Sequence, residues 1–109
     1  MLDRNHLQID GTTETVMNSA PLEEKLKAFN FNVVTIDGHD YDQIEAAIQA
    51  FHAETAKPTC IIMDTTKGKG VSFMTNSVDW HGKGPNDDEY KIAIEELNAA
   101  YAALEQEEN

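Results

Sequence analysis

The sequence has little of what marks membrane or secreted proteins. Its apolar runs are short, such as Cys60–Met63, whereas a helix needs about 20 apolar residues to cross a bilayer. The single cysteine, Cys60, cannot form an internal disulfide, and residues 1–6 hold no apolar signal core. We therefore expect a cytoplasmic protein in a reducing compartment, with no membrane association.

Basic residues are also scarce. The 109 residues include 8 Lys and Arg against 20 Asp and Glu, which gives a formal net charge of −12. Such a charge argues against nucleic acid or an anionic membrane surface as a partner. The chain has no Cys/His spacing of a zinc site, no Gly-x-Ser-x-Gly elbow and no dinucleotide-binding glycine fingerprint. These classes of site therefore have no support.

The residues that are present predict one α/β domain. Hydrophobic residues make up 40% of the chain, which is enough for one modest core. The β-rich runs 32–36 and 59–63 flank a helix predicted over residues 41–54, with Asp40 as its N-cap and Gln43 in a capping box. Strand, helix and strand predict a βαβ unit with parallel strands. A further helix is predicted from Pro21 to about Phe29.

The start of the chain allows two interpretations, and its end predicts a last helix. Residues 2–5 look like the end of another strand or the loop that follows one, so we expect a short parallel sheet that belongs to a larger one. Residues 86–109 contain one lysine against eight acidic residues. Apolar residues there recur at helical spacing, which predicts an acidic helix over residues 87–105 whose acidic face is solvated: Tyr90, Ile94, Leu97, Tyr101 and Leu104.

Four polar loops could carry chemistry, and each has a simpler interpretation. Residues 3–11 offer carboxylate, amide and carbonyl oxygens that suit Mg²⁺, but Asp, Asn and Gly also form ordinary turns. Residues 37–40 come between a strand and a helix, where a cap alone would explain them. Residues 65–70 are glycine-rich without the ending of a P-loop. Residues 79–86 hold the only tryptophan and His81, whose imidazole could contact a phosphate or move a proton.

Taken in order, five motifs resemble the later half of the thiamine-diphosphate-binding domain of transketolase. The likeness runs from about Leu2 to Leu97 and is nearest to bacterial transketolases, including the split kind with a separate N-terminal subunit. The order of the five motifs is more specific than any one of them. They are DRNHLQIDG at 3–11, DGHD at 37–40, KPT at 57–59, TTKGKGVSFM at 65–74 and WHGKGPN at 80–86.

The resemblance implies a role for particular residues. Asn5 would supply a side-chain oxygen, and Leu7 a backbone carbonyl, to the Mg²⁺ that holds thiamine diphosphate. Ile9 would pack near the thiazolium ring of the cofactor, and Gly68 would line the cofactor cleft. His81 would contact the cofactor diphosphate and the reacting end of the substrate, as the catalytic residue. The reaction implied is transfer of two-carbon ketol units between sugar phosphates.

The sequence departs from the family in lacking the Gly-Asp-Gly motif, whose aspartate is another Mg²⁺ ligand. We therefore expect residues 1–109 to form a single partial domain that is inactive alone and does not bind the cofactor well by itself. Expected partners are a second copy in a homodimer, the missing transketolase half, or a subunit with the pyrimidine-binding domain. The alternative is a catalytically silent, oligomeric binding or structural module that retains the fold.

Overall fold

The computed structural model describes residues 1–107, and its main feature is a three-stranded parallel sheet. The elements in chain order are β1 (Leu2–Arg4), β2 (Leu7–Gln8), β3 (Gly11–Thr12), α1 (Thr13–Val16), α2 (Leu22–Ala28), β4 (Asn32–Asp37), α3 (Tyr41–Ala53), β5 (Thr59–Asp64), a 3₁₀ helix (Val78–His81) and α4 (Asp87–Glu107). Helices flank the short sheet, so the predicted α/β class is confirmed.

Strand β5 is the centre of the sheet. It pairs in parallel with β4 from Thr59 to Asp64, and with β1 over its last three residues. The predicted βαβ unit is therefore confirmed, and of the two interpretations left open for residues 2–5 the structure has the strand. Both β4 and β5 extend one residue beyond their apolar runs, to Asp37 and Asp64, because the backbone ladder continues where the side chains have become polar.

Helix α3 covers the sheet through a small core. Ala47, only 2% exposed, packs with Ile36 and Ile61, and partly buried apolar side chains surround this cluster. The helix begins as predicted, since Asp40 Oδ1 accepts hydrogen bonds from the backbone N–H groups of Asp42 and Gln43. The Gln43 side chain differs from a standard capping box: its Oε1 accepts from the N–H of Asp37 at 3.0 Å rather than from that of the N-cap.

The described residues form two compact units, Met1–Thr65 and a second that begins at Thr66. In the second unit Val71 and Ala93 are buried, and the Glu96 carboxylate accepts hydrogen bonds from Ser72 N at 2.7 Å and Ser72 Oγ at 2.5 Å. Asn86 caps α4 by accepting from Asp88 N at 3.0 Å and Glu89 N at 2.9 Å.

The apolar stripe of α4 is exposed. Its five side chains are between 37% and 64% accessible, while Ala93, at the margin of the stripe three residues after Tyr90 and four before Leu97, is buried. The periodicity therefore predicts the helix correctly, but the residue that is buried within the second unit lies at one margin of the stripe and not at its centre. Among the described residues, no helix is both long and apolar enough to cross a membrane.

Candidate functional site

The loop after β1 displays Asn5 in a fixed conformation. The Asn5 Oδ1 atom accepts a hydrogen bond from the Leu7 N–H at 3.0 Å, which closes a turn around His6. His6 has a positive φ of 60°, and its carbonyl accepts from the Thr13 N–H at 2.9 Å. The chain then forms the β2–β3 hairpin, in which Leu7 pairs with Thr12. The first predicted loop is therefore an ordered turn and hairpin.

Asn5 and Leu7 can offer oxygens to a hard cation. A side-chain amide oxygen and a backbone carbonyl are the kind of donors that Mg²⁺ prefers, so the chemistry of the pair fits the implied metal. Two oxygens are fewer than the six of an octahedral ion. Within residues 1–107 no group of three or more His, Cys, Asp or Glu side chains could hold a metal. An octahedral ion bound here would need further ligands from water, a phosphate or other protein residues.

A network of charged side chains lies directly beside this loop. Arg4 binds Asp64 through two hydrogen bonds, Nε to Oδ1 at 2.5 Å and Nη2 to Oδ2 at 2.8 Å, and binds Glu23 through Nη1 at 2.7 Å. The guanidinium holds the pKa values of the Asp64 and Glu23 carboxyls below their usual range, and the two carboxylates raise the pKa of Arg4. All three groups are therefore ionised at neutral pH.

An open cavity of about 510 Å³ adjoins the same loop, within the first unit. Its lining includes Arg4, Asn5, His6 and Leu7 on one side and residues of α1 and α2, such as Glu14 and Glu23, on the other. The candidate metal ligands therefore border a space that is large enough for a small polar ligand.

The residue types of the second loop, residues 37–40, are accounted for by their roles in the fold. Gly38 donates its N–H to the Asp64 carbonyl at 2.8 Å, and a Cβ at this position would lie 2.5 Å from Thr65 Cγ2. The His39 N–H bonds Asp37 Oδ1 at 2.8 Å. Close approach of two chain segments thus accounts for the glycine, and helix capping accounts for Asp40. Both observations favour a turn with a helix cap over a chemical role for this loop.

Gly68 forms a tight turn in the second unit. Its φ is +70°, and a Cβ there would overlap the backbone carbonyl of Met74. The Gly68 carbonyl in turn accepts hydrogen bonds from Val71 N at 3.3 Å and from Thr75 Oγ1 at 3.2 Å. The conformation of this predicted cofactor loop therefore depends on glycine.

His81 is exposed at the end of the 3₁₀ helix, and the preceding residue, Trp80, anchors this helix. The Trp80 indole Nε1 donates to the Phe73 carbonyl at 3.0 Å, and the two rings lie 5.2 Å apart. The ammonium of Lys83 lies 4.0 Å from the centre of the Trp80 ring. An anchored tryptophan thus presents an accessible imidazole, which suits contact with a phosphate or a transferred proton.

Comparison with known families decides the identity of the fold. A family model described as the thiamine diphosphate binding domain of transketolase matches residues 1–104. The chain belongs to the transketolase family. The resemblance predicted from the five motifs is confirmed, and the transketolase match covers both compact units.

Individual transketolases match almost the whole chain. An apulose-4-phosphate transketolase subunit from Phocaeicola vulgatus is 36% identical over 109 residues, which are 100% of this chain and 39% of that protein. The 6-deoxy-6-sulfo-D-fructose transketolase subunit SqwG of Clostridium sp. is 38% identical over 95 residues, 87% of this chain and 34% of that protein. The chain therefore spans about two fifths or less of the length of these relatives.

Solved transketolases have the same fold. The crystal structure of transketolase from Campylobacter jejuni superposes with a TM-score of 0.76 at 28% identity, covering 88% of this chain and 15% of that one. Transketolase from Leishmania mexicana gives a TM-score of 0.63 at 21% identity, covering 95% of this chain and 19% of that one, which shows the fold alone.

The structure places the predicted site residues in two groups. Asn5 and Leu7 lie in one turn of the first unit, and Ile9 follows in the β2–β3 hairpin with 60% of its surface exposed. Gly68 and His81 lie in the second unit. The assigned roles of all five residues in metal, cofactor or substrate binding stay predictions. Sequence reasoning missed Asp64, because the apolar run that predicts β5 ends one residue earlier, at Met63.

Proposed function

We propose that this transketolase chain supplies part of a site for thiamine diphosphate and Mg²⁺, and that it transfers two-carbon ketol units between sugar phosphates only together with another polypeptide. The observation that carries the proposal is that the entire chain matches 39% of the length of one transketolase subunit. A part of this size would supply some of the cofactor contacts and require the rest from elsewhere.

Each proposed contact follows from the chemistry of the residue. Asn5 and Leu7 would hold Mg²⁺ through two neutral oxygens, and Gly68 would let the backbone approach the cofactor. His81 would contact the diphosphate and move a proton at the reacting end of the substrate. When bound, thiamine diphosphate would supply a nucleophilic carbon and a positively charged thiazolium ring, and the ring would stabilise the negative charge that develops as the ketol unit is cleaved and transferred.

The isolated chain should bind the metal and cofactor weakly. The Asn5 and Leu7 oxygens carry no formal charge, and this sequence contains no Gly-Asp-Gly motif to add a carboxylate. Loss of outer-shell partners alone typically lowers metal affinity about 10- to 100-fold, and loss of a direct ligand should lower it further. We therefore propose that the chain is inactive by itself.

Calorimetric titration tests this proposal. Thiamine diphosphate with Mg²⁺ is titrated into the chain alone and into an equimolar mixture with a polypeptide covering the rest of a transketolase, and ketol transfer from a ketose phosphate is assayed in both. We expect binding and transfer in the mixture only. Asn5→Ala should abolish binding in the mixture, whereas Asn98→Ala, a change on the exposed surface of α4, should leave it unchanged.

Other results would redirect the proposal. Micromolar binding or turnover by the chain alone would show that the site is already complete. Absence of both binding and ketol transfer in every mixture would favour a silent structural module.

We also propose that the chain forms a homodimer. Within the described residues, β1 and β4 each leave one edge of the sheet unpaired, and the apolar stripe of α4 is exposed. Such surfaces are usually covered in a stable protein.

A further inference from the structure

Asp64 contacts the residues on both sides of the proposed metal ligand Asn5. Its carboxylate accepts two hydrogen bonds from Arg4, and its Oδ1 lies 3.5 Å from Nε2 of His6. The two parallel hydrogen bonds between the Arg4 guanidinium and the Asp64 carboxylate fix the geometry of both partners more strongly than a single contact does. One side chain therefore restrains the residue before Asn5 and the residue after it.

The backbone adds to this restraint. Arg4 and Asp64 are the last residues of β1 and β5, and they are direct neighbours in the parallel ladder. The Thr65 N–H continues the pairing by donating to the Arg4 carbonyl at 3.3 Å. Asp64 therefore acts from the central strand of the sheet, which is paired with a neighbouring strand on both sides.

The other carboxylate on Arg4 extends the support to a helix. Glu23 of α2 accepts from Arg4 Nη1 and, at 3.4 Å, from Thr35 Oγ1 of β4. The side chains of Arg4, Asp64 and Glu23 are 23%, 40% and 28% exposed, so water screens the network only in part. This network links three strands and one helix at the end of β1, immediately before Asn5.

We propose that Asp64 is a positioning residue for the metal loop: by holding Arg4 and His6 it fixes the turn in which Asn5 Oδ1 bonds the Leu7 N–H, and so sets the affinity for Mg²⁺. The part of this inference that concerns Mg²⁺ rests on the proposed function. The positioning of the turn does not, because it concerns contacts made by the chain alone.

Hydrogen exchange of single backbone amides tests the positioning. In Asp64→Ala we expect the Leu7 amide, which bonds Asn5 Oδ1, and the Thr13 amide, which bonds the His6 carbonyl, to exchange at least about 10-fold faster relative to the amides of α4. Asp64→Asn, which keeps an oxygen for Arg4, is a second variant in case the alanine variant does not fold, and it should show a smaller change in the same direction.

Asp40→Ala is the matched control, since it removes a carboxylate of the first unit that caps α3 and does not contact the Asn5 turn. It should speed exchange in α3 rather than at Leu7 and Thr13. Unchanged relative exchange of Leu7 and Thr13 in both Asp64 variants would overturn the positioning role.

A metal titration then tests the consequence. In the reconstituted mixture, Mg²⁺ in the presence of thiamine diphosphate should bind Asp64→Asn about 10- to 100-fold more weakly than the unsubstituted chain, and Asp40→Ala equally well. Equal affinity for Asp64→Asn and the unsubstituted chain would overturn the effect on Mg²⁺. If the unsubstituted mixture binds no Mg²⁺, the proposed function fails, and the exchange rates still decide the positioning role.

Discussion

Gly68 shows how a single residue fixes a loop of the candidate site. Its φ of +70° lies in the region that L-residues avoid, and a Cβ would overlap the Met74 carbonyl. We expect Gly68→Ala to lower the free energy of unfolding by about 1–3 kcal/mol, measured by urea denaturation. Gly82→Ala is the control, because a Cβ there has no atom within 4 Å. Equal stability of the two variants would contradict the close contact at Gly68.

Single residues were predicted from sequence only where their role is local. The helix cap at Asp40 is predicted from residues 40–43 alone, and in the structure Asp40 Oδ1 accepts a hydrogen bond from the Asp42 N–H. Asp64 carries no such signal, because its partners Arg4 and His6 lie about 60 positions away in the chain. A residue of that kind is found only after the register between β1 and β5 is known.

At the scale of elements, α4 is held through Glu96. Its carboxylate accepts two hydrogen bonds from Ser72, and these lower the pKa of Glu96 below its usual value. A carboxyl whose pKa is lower in the folded state adds stability above its unfolded pKa, about 4.3, and that stability is lost as the pH falls through the folded pKa. The melting temperature should therefore fall in acid partly because Glu96 takes up a proton.

Glu96→Ala should remove that part of the acid dependence, so that its melting temperature differs from that of the unsubstituted chain at pH 7 and approaches it near pH 3. Glu95→Ala is the control, since this neighbouring carboxylate is exposed and makes no hydrogen bond within the described residues. Calorimetric melting curves at both pH values give the comparison. The same acid dependence in the two variants would show that the contact with Ser72 contributes nothing.

The positions of the helices and strands were predicted more completely than the sides of them that are buried. Parallel strands and α3 follow from short apolar runs and helical spacing, and both lie within a residue of their predicted bounds. For α4 the same spacing predicts the helix, but the buried residue is Ala93, at the margin of the stripe, and the five stripe residues themselves stay exposed. Which face packs depends on the neighbouring chain segments, and hydrophobic periodicity does not contain that information.

For the whole molecule, five short motifs in order were enough to predict the family. The match to the family model over residues 1–104 confirms it. The completeness of the site could not be predicted in the same way. The proposed metal ligands Asn5 and Leu7 provide two oxygens, and the groups that would complete the shell of an octahedral ion do not follow from any motif in this sequence.

Net charge makes the proposed homodimer testable through its dependence on salt. Two chains of formal charge −12 repel each other, and this repulsion acts over about 10 Å at 0.1 M salt but only about 3 Å at 1 M. Burial of apolar side chains, such as those of the α4 stripe, is not weakened by this screening. Association through apolar surface should therefore become stronger as salt is added.

We expect light scattering to give a mass that rises with salt from the monomer value of 12.1 kDa toward twice that value, at a fixed protein concentration. Tyr101→Lys with Leu104→Lys places charge on the exposed stripe while making the chain less acidic. If apolar contact on α4 contributes to the dimer, this variant should dissociate despite its weaker repulsion. A mass of 12.1 kDa at every salt and protein concentration would contradict the homodimer.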